Sequence, residues 1–346
     1  MNLKQLSELL GLSQTTVSRA LNGYPEVSET TRKRVQDAAR DHGYRPNPRA
    51  RGLATGKSGA IGHVITTTRQ NEMVNPVFGD FLAGANIAYG RHHYTMSLSI
   101  VPDTQEELTY RALAQQGSVD GVVVQAPLVD DPRIAMLKDI GMPFIVHGRS
   151  SNVSLPYDWV DVNNRSAFHT ATRHLLELGH RNIALINGDE QLDFAWRRRK
   201  GWEDALREAG ISPDPDRARS GEMNEHNGWR DAGEMLDRPA PPTAFVVSSL
   251  ISAFGVRRAV QERGLRLGED VSLITFDDDL SYLRDSADPP VFSVLRSSVS
   301  EAGELSADLL IQRIRSPKAP PLTRLLEAEL IAGRSTGPVP AHVVRA

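Results

Sequence analysis

From residue 60 onward, short apolar runs alternate with amphipathic stretches, and this rhythm limits the folds open to the chain more than any other feature. IGHVI (61–65), YTMSLSIV (94–101), DGVVVQA (120–126) and PFIVHG (143–148) read as buried strands. NIALING (182–188), TAFVVSS (243–249) and VSLITFDD (271–278) continue the series, with helical spacing between them in segments such as Ala167–Leu178 and Gly201–Ala209. Strands that are apolar throughout and separated by helices belong to parallel, doubly wound sheets covered on both faces. About 100 residues per half makes two similar lobes. Ligands are then expected beyond the carboxyl ends of the strands.

Residues 2–45 read instead as three short helices. Leu3, Leu6, Leu9 and Leu10 follow helical spacing between Asn2, a candidate N-cap, and Gly11. Ser13 caps a second helix with Val17, Ala20 and Leu21 inward, stopped by Asn22-Gly23; Ser28 caps a third, with Val35, Ala38 and Ala39 inward and Gly43 at its end. So small a unit with few large apolar residues is marginally stable alone. RPNPRARGLATGKSG (45–59) follows, with the prolines, glycines and basic residues of a linker. Pro48 can open a short helix over Arg49–Ala54, but Gly52 costs it about 1 kcal/mol against alanine, so that helix needs a partner.

The net charge of −3 hides an asymmetry. Residues 1–60 hold ten Lys or Arg against five Asp or Glu, whereas the remainder holds thirty against thirty-eight, a net of −8. A basic head on an acidic body is the layout expected when one end meets phosphates, although charge alone leaves a solvated basic surface equally open. Cysteine is absent, which removes disulfides, thiolate metal sites and cysteine nucleophiles. No apolar run approaches the roughly 20 residues that cross a bilayer, and MNLKQLSELLGLSQTT lacks the order of a signal peptide, so a cytoplasmic protein is expected. Enzyme signatures fail as well. ATGKS (54–58) resembles the end of a phosphate loop, but its first glycine falls on Arg51 and it precedes a strand instead of following one. The DDD of 277–279 lacks the EF-hand pattern, and no metal or other cofactor is expected.

GLSQTTVSRALNG (11–23), followed by VSETTRKRV, YRPN and the basic RARGLA, closely resembles the head and hinge of LacI/GalR-type bacterial repressors. NPVFGDFLAGA (75–85), LLELGHRNIALING (175–188), RRRKGWEDAL (197–206) and ITFDDDL (274–280) extend the resemblance over essentially the whole chain. It implies a small all-α helix-turn-helix head (1–45), a hinge (46–59) and an α/β core (60–340) with two lobes like those of periplasmic sugar-binding proteins. The first lobe would run about 60–160 and return about 292–320; the second would take about 162–290 and 322–340.

In a helix-turn-helix, the second helix presents its N-terminal residues to base edges in the major groove. Those positions are Gln14, Thr15 and Thr16, with Ser18 and Arg19 one turn on. Glutamine pairs with adenine, arginine with guanine, and threonine methyls meet thymine methyls. Asn22, Tyr44, Asn47 and the run Arg32, Lys33 and Arg34 are candidates for phosphates, the run equally for a solvated face. The family's hinge helix wedges a leucine into the minor groove. Leu53 matches that leucine, with Ala50 beside it and Arg49 and Arg51 near phosphates.

For the interlobe cleft, the resemblance implies that Arg198 forks onto an effector, with Arg197 and Arg199 as competing choices, and that Asp277 accepts from ligand hydroxyls while Asp278 serves the following turn. Asn75 and Phe78 match positions covering the cleft; His147 replaces a common aspartate; Phe194 and Trp196 flank the arginine. Ser248 and Ser249 stand where Asn-Asp is frequent, and Met223 where an aromatic is. Asp161 and Asn163 fall either in the cleft or at the lobe crossover. Aromatic faces with arginine and aspartate suit a sugar better than a purine or amino acid, and an α-glucoside or α-linked disaccharide is the specific expectation. A homodimer on a pseudo-palindromic operator, released by the sugar, completes the reading; a corepressor or an activator remains the alternative. The C-terminal GRSTGPVPAHVVRA carries no leucine heptad for a tetramer.

Overall fold

A computed structural model describes residues 1–21, 23–44, 57–66, 75–283 and 287–340. Its contacts divide the chain into Met1–Gly59 and Ala60–Ala346. In the first unit, α1 (Leu3–Leu10) begins at an Asn2/Gln5 capping box and ends on Gly11 in the left-handed conformation. α2 (Gln14–Leu21) starts where Ser13 Oγ accepts from Thr16 N at 3.0 Å, and Ser28 does the same for α3 (Glu29–Asp41) through Thr31 N. Leu6, Leu10, Val17, Ala20, Val27, Val35 and Ala39 form the core of this unit, a set of mostly modest side chains.

The larger unit holds two six-stranded sheets. β1 (Ala60–Thr66), β2 (Thr95–Val101), β3 (Gly121–Gln125), β4 (Phe144–His147), β5 (Trp159–Val162) and β11 (Thr323–Leu326) form the first, in the order β11-β5-β4-β3-β1-β2, with every neighbour parallel. β6 (Ile183–Asn187), β7 (Ala218–Ser220), β8 (Ala244–Val247), β9 (Ser272–Asp277), β10 (Ser293–Arg296) and β12 (Glu329–Ile331) form the second, in the order β12-β10-β9-β8-β6-β7, antiparallel only at β12. On the first sheet, α4 (Pro76–His92) packs with α11 (Val299–Arg315) on one face, while α5 (Glu106–Gln116) and α6 (Pro132–Asp139) cover the other. On the second, α7 (Asn164–Glu177) and α8 (Asp193–Glu208) take one face, and α9 (Glu225–Leu236) and α10 (Leu250–Glu262) the other. Strand order reverses at β1/β3 and at β6/β8, so each lobe offers a crevice at its strands' carboxyl ends. No described helix is long and apolar enough to cross a membrane.

Two expectations need correction. The run 94–101 is a strand but not a buried one: β2 is the edge of its sheet, with Leu98 and Ile100 41% and 46% exposed, because no described strand lies beyond it. The exchanges between sheets also fall later than about 291 and 321. β10 must pair with β9 before the chain crosses to α11, and β11 pairs with β5 before β12 returns. SVLR and TRLL are too short to announce themselves as strands.

Candidate functional site

On α2, Gln14, Thr15 and Arg19 are exposed, whereas Thr16 and Ser18 are half-buried and Thr16 Oγ1 bonds Ser13 Oγ at 2.8 Å. The outward row is therefore Gln14, Thr15 and Arg19. Within the basic run, Arg32 Nη2 donates to the carbonyls of Tyr24 and Val27, and Arg34 Nη2 to that of Leu10 at 2.9 Å. These two arginines fasten the helices together; Lys33 stays exposed. Tyr44 packs half-buried against the head core. Asn22, Asn47, Arg49, Ala50, Arg51 and Leu53 lie outside the described residues.

The three arginines of α8 have separate fates. Arg197 Nε donates to Asp193 at 2.5 Å, and Arg199 pairs with Glu203 and Glu190. Arg198 is buried. Its Nε donates to Asn164 Oδ1 at 2.8 Å and its Nη1 to the carbonyl of Ser248 at 2.6 Å, while the rings of Phe276, Phe194 and Phe168 lie 4.1, 4.9 and 5.0 Å from its guanidinium. Nη2 makes no hydrogen bond among the described residues. Burial lowers the arginine's pKa to about 10, against the pull of Asp278 and Asp161. Gly201, one turn further on, lets α8 press on α7: a Cβ there would strike the backbone oxygen of Arg165. The position of Arg198 is thus set by backbone packing as well as by its bonds.

The aspartates change places relative to expectation. Asp277 Oδ1 accepts from Asp279 N at 2.9 Å, and its Oδ2 pairs with Arg296 on the adjacent β10, also at 2.9 Å. It is the turn-forming residue. The carboxylate of Asp278 makes no hydrogen bond among the described residues and faces the charge of Arg198, while its backbone carbonyl accepts from Val299 N at 3.1 Å; desolvation raises the carboxyl to about 6. Strand parity explains the swap, since Ile274, Phe276 and Asp278 share a face, and that face carries the ring stacked on Arg198. Trp196 is corrected too. It lies two residues from Arg198, on the far side of α8, with Lys200 Nζ 5.7 Å from its ring centre. Phe194 is the aromatic neighbour that reaches the arginine. Met223 joins it, because a Cβ on Gly188 would meet Phe194 at 3.1 Å and Met223 Sδ at 3.3 Å. Ser249 Oγ caps α10 through Ser252 N at 3.2 Å, so Ser248, through its carbonyl, is the serine touching Arg198.

On the first lobe, His147 ends β4 with its ring 4.4 Å from that of Phe81, and burial drops its pKa to about 4. It is neutral near pH 7. Gln125 pairs with it across the sheet and keeps its Nε2 buried with no partner among the described residues. Asn75 caps α4 through Val77 N at 3.1 Å, and Phe78 is buried in that helix. Asp161 pairs with Arg149 at 2.7 Å, but burial still raises its carboxyl pKa; Asn163 caps α7. Both sit at the crossover between sheets. The lobes join through Leu128–Leu192 bridging, Ser151 N donating to Asp193 Oδ1 at 2.7 Å, and Ser281 bonding Asp80 twice at 2.7 Å. An outer groove of about 510 Å³ over α7 and α8 is lined by the Arg165–Asp204 ion pair and by His169, whose ring bonds Glu208 at 2.7 Å. The sequence reading gave Asp278 to the turn and did not single out Asn164, Phe168, Phe276 or Gln125. For Asp278, Asn164 and Gln125 the signal was a polar residue at the end or start of a buried element; Phe168 and Phe276 carry none that distinguishes them from other core residues.

Residues 2–47 match the bacterial regulatory proteins of the lacI family, and residues 172–336 match a periplasmic binding protein-like domain. The HTH-type transcriptional regulator AglR of Rhizobium meliloti (strain 1021) is 46% identical over 98% of this chain and 95% of its own length. RafR of Escherichia coli, another HTH-type transcriptional regulator, is 35% identical over 93% and 95%. Among solved structures, the lac repressor dimer bound to operator and the anti-inducer ONPF superposes with a TM-score of 0.81 at 26% identity, covering 97% of this chain and 99% of that one. The transcriptional regulator CelR–cellobiose complex gives 0.72 at 27%, with the same coverages.

Proposed function

Because the chain belongs to the LacI family of bacterial transcriptional regulators, we propose that it represses genes of sugar uptake or catabolism and leaves its operator when a small sugar binds between the core lobes. The observation that carries this reading is the buried Arg198, whose Nη2 bonds no described residue, facing the carboxylate of Asp278, which likewise bonds none, beside Phe194 and Met223. A fixed donor, a fixed acceptor and an aromatic face suit the hydroxyl edge and C–H face of a sugar ring. The CelR structure that this chain resembles holds cellobiose, which supports the ligand class. An α-glucoside or disaccharide is the specific candidate.

In the head, Gln14, Thr15 and Arg19 read base edges, with Thr16 and Ser18 supporting them, and the hinge residues Arg49, Ala50, Arg51 and Leu53 engage the minor groove. Leu53→Ala then reduces operator affinity well beyond its effect on random DNA; equal losses on both sink the hinge assignment. A cytoplasmic homodimer fits the dimer recorded for the lac repressor. It also fits an apolar patch at the edge of the first sheet, where Leu98, Ile100 and Ile87 of the neighbouring α4 are 41–52% exposed. Sedimentation of Leu98→Asp, expected as a monomer, checks this.

Thermal-shift screening of the full chain against mono- and disaccharides, purines and amino acids tests the ligand class. Stabilisation by a purine with none by any sugar overturns it. A gel shift with the stabilising compound then fixes the sign: release supports induction, and tighter binding means a corepressor.

A further inference from the structure

We infer that Asn164 is the residue that aims Arg198, and that it does so as the central amide of a relay running from Arg149 through Asp161. The inference rests on the reading that Arg198 binds the effector. Asp161 belongs to β5 of the first sheet, and Asn164 opens α7 on the second, so the relay passes through the first crossover between the lobes.

The geometry fixes the direction of every bond. Arg149, its guanidinium 4.9 Å from the Trp159 ring centre, donates Nε to Asp161 Oδ2 at 2.7 Å. Asn164 Nδ2 donates to Asp161 Oδ1 at 3.3 Å and to the carbonyl of Val162 at 3.0 Å. Asn164 Oδ1 then accepts from Arg198 Nε at 2.8 Å. An arginine can only donate and a carboxylate can only accept, so the residue between them must do both. A side-chain amide does this without carrying charge. Asn164 and Asp161 are both buried.

Arg198 depends on this bond more than most arginines do. No carboxylate lies within ion-pair distance of it among the described residues, and its rings contribute contact without fixing the rotation of the guanidinium plane. The two bonds to Asn164 Oδ1 and the Ser248 carbonyl set that rotation and leave Nη2 as the free donor. Removing Asn164 frees the plane to turn. Asn164 is therefore a positioning residue for the site, with no contact to ligand required of it.

Two measurements on the full chain test this. The first needs no ligand: ¹⁵N-arginine labelling follows exchange of the Arg198 Nε–H, assigned by its loss in Arg198→Lys. Protection is expected in the wild type and exchange faster by about tenfold in Asn164→Ala, as for loss of one hydrogen bond to a charged group. The second titrates maltose by calorimetry. Asn164→Ala is expected to bind about tenfold more weakly. Asn164→Asp alone sets two carboxylates against each other and also weakens binding. Adding Asp161→Asn restores the accepting and donating pattern around Arg198 and returns affinity to within about threefold of wild type, a recovery that general destabilisation does not produce. The inference is overturned if Asn164→Ala leaves the Arg198 Nε–H protected, or if the double variant binds no better than Asn164→Asp. A wild type that ignores maltose counts against the α-glucoside reading, and an Arg198→Ala variant that binds it normally counts against Arg198 as the effector's anchor; the exchange measurement then decides the role of Asn164 by itself.

Discussion

The two lobes present different materials at the strand ends that would form the walls of the proposed cleft. The second lobe contributes charge held in apolar surroundings: Arg198 among three phenylalanines, facing Asp278, with Met223 beside Phe194. The first lobe contributes neutral groups: His147 against Phe81, Gln125, and Asn75 spent on its helix cap. Charged groups with low solvent access bind strongly and directionally, whereas neutral ones adjust fit. On the proposed reading, anchoring falls to the second lobe and shape selection to the first.

The largest test of that division is Arg198→Ala, expected to weaken effector binding on the order of 100-fold in calorimetry, by loss of charge-assisted bonds that neutral groups cannot replace. A comparable loss from His147→Ala would erase the distinction between the walls. Asp278→Asn comes next, at about tenfold weaker binding. The same variant should stabilise the empty protein by about 1 kcal/mol at pH 7.5, since it removes a poorly solvated charge.

The sign of the pH dependence follows from the raised carboxyl. Its pKa is about 6 folded against 3.8 ordinarily, so the folded state holds the extra proton between those values. That contribution to stability is complete below about pH 4 and is lost as pH rises through 6. Melting curves of wild type and Asp278→Asn should therefore converge below about pH 4 and separate fully by pH 7.5. Sugar affinity of the wild type should fall as pH drops through 6, with the variant flat. Convergence at high pH instead would reverse the assignment.

A smaller contrast lies within α8. Phe194→Ala should cost several-fold in affinity, about 1 kcal/mol for a lost aromatic contact, while Trp196→Ala changes affinity less than about twofold, because its ring faces Lys200. The smallest signal is spectroscopic. With burial holding its pKa near 4, the His147 ring should show no NMR titration between pH 5.5 and 8. An inflection near 6.5 would make the first lobe's wall a charged one at mildly acid pH.

Local signals carried a long way in this chain. Asn2, Ser13 and Ser28 cap the three head helices because a side-chain oxygen two or three residues ahead of orphan amides needs no distant partner. The strand runs at 61–65, 121–125 and 183–187 are buried on both faces, and that burial is written directly in their composition. Within the cleft, residues adjacent in sequence were the illegible ones. Arg197, Arg198 and Arg199 differ only by 100° steps around a helix, and Asp277 and Asp278 by one flip of a strand. Each small rotation sends a chemically equivalent group to a different neighbour.

The sequence by itself determined a three-helix head, a basic linker and a doubly wound core with sites at its strand ends, because caps, periodicity and charge act over a few residues. Only the tertiary structure decided that Arg198 is the buried arginine, that Asp278 faces it while Asp277 holds a turn, and that Asn164 lies between Arg198 and Asp161. Those partners come from β5, α7, α8, β8 and β9, brought together by sheet order and by the close approach of α7 and α8 at Gly201. A burial environment assembled from segments more than a hundred residues apart has no local signature, and it is burial that turns an ordinary charge into a binding group.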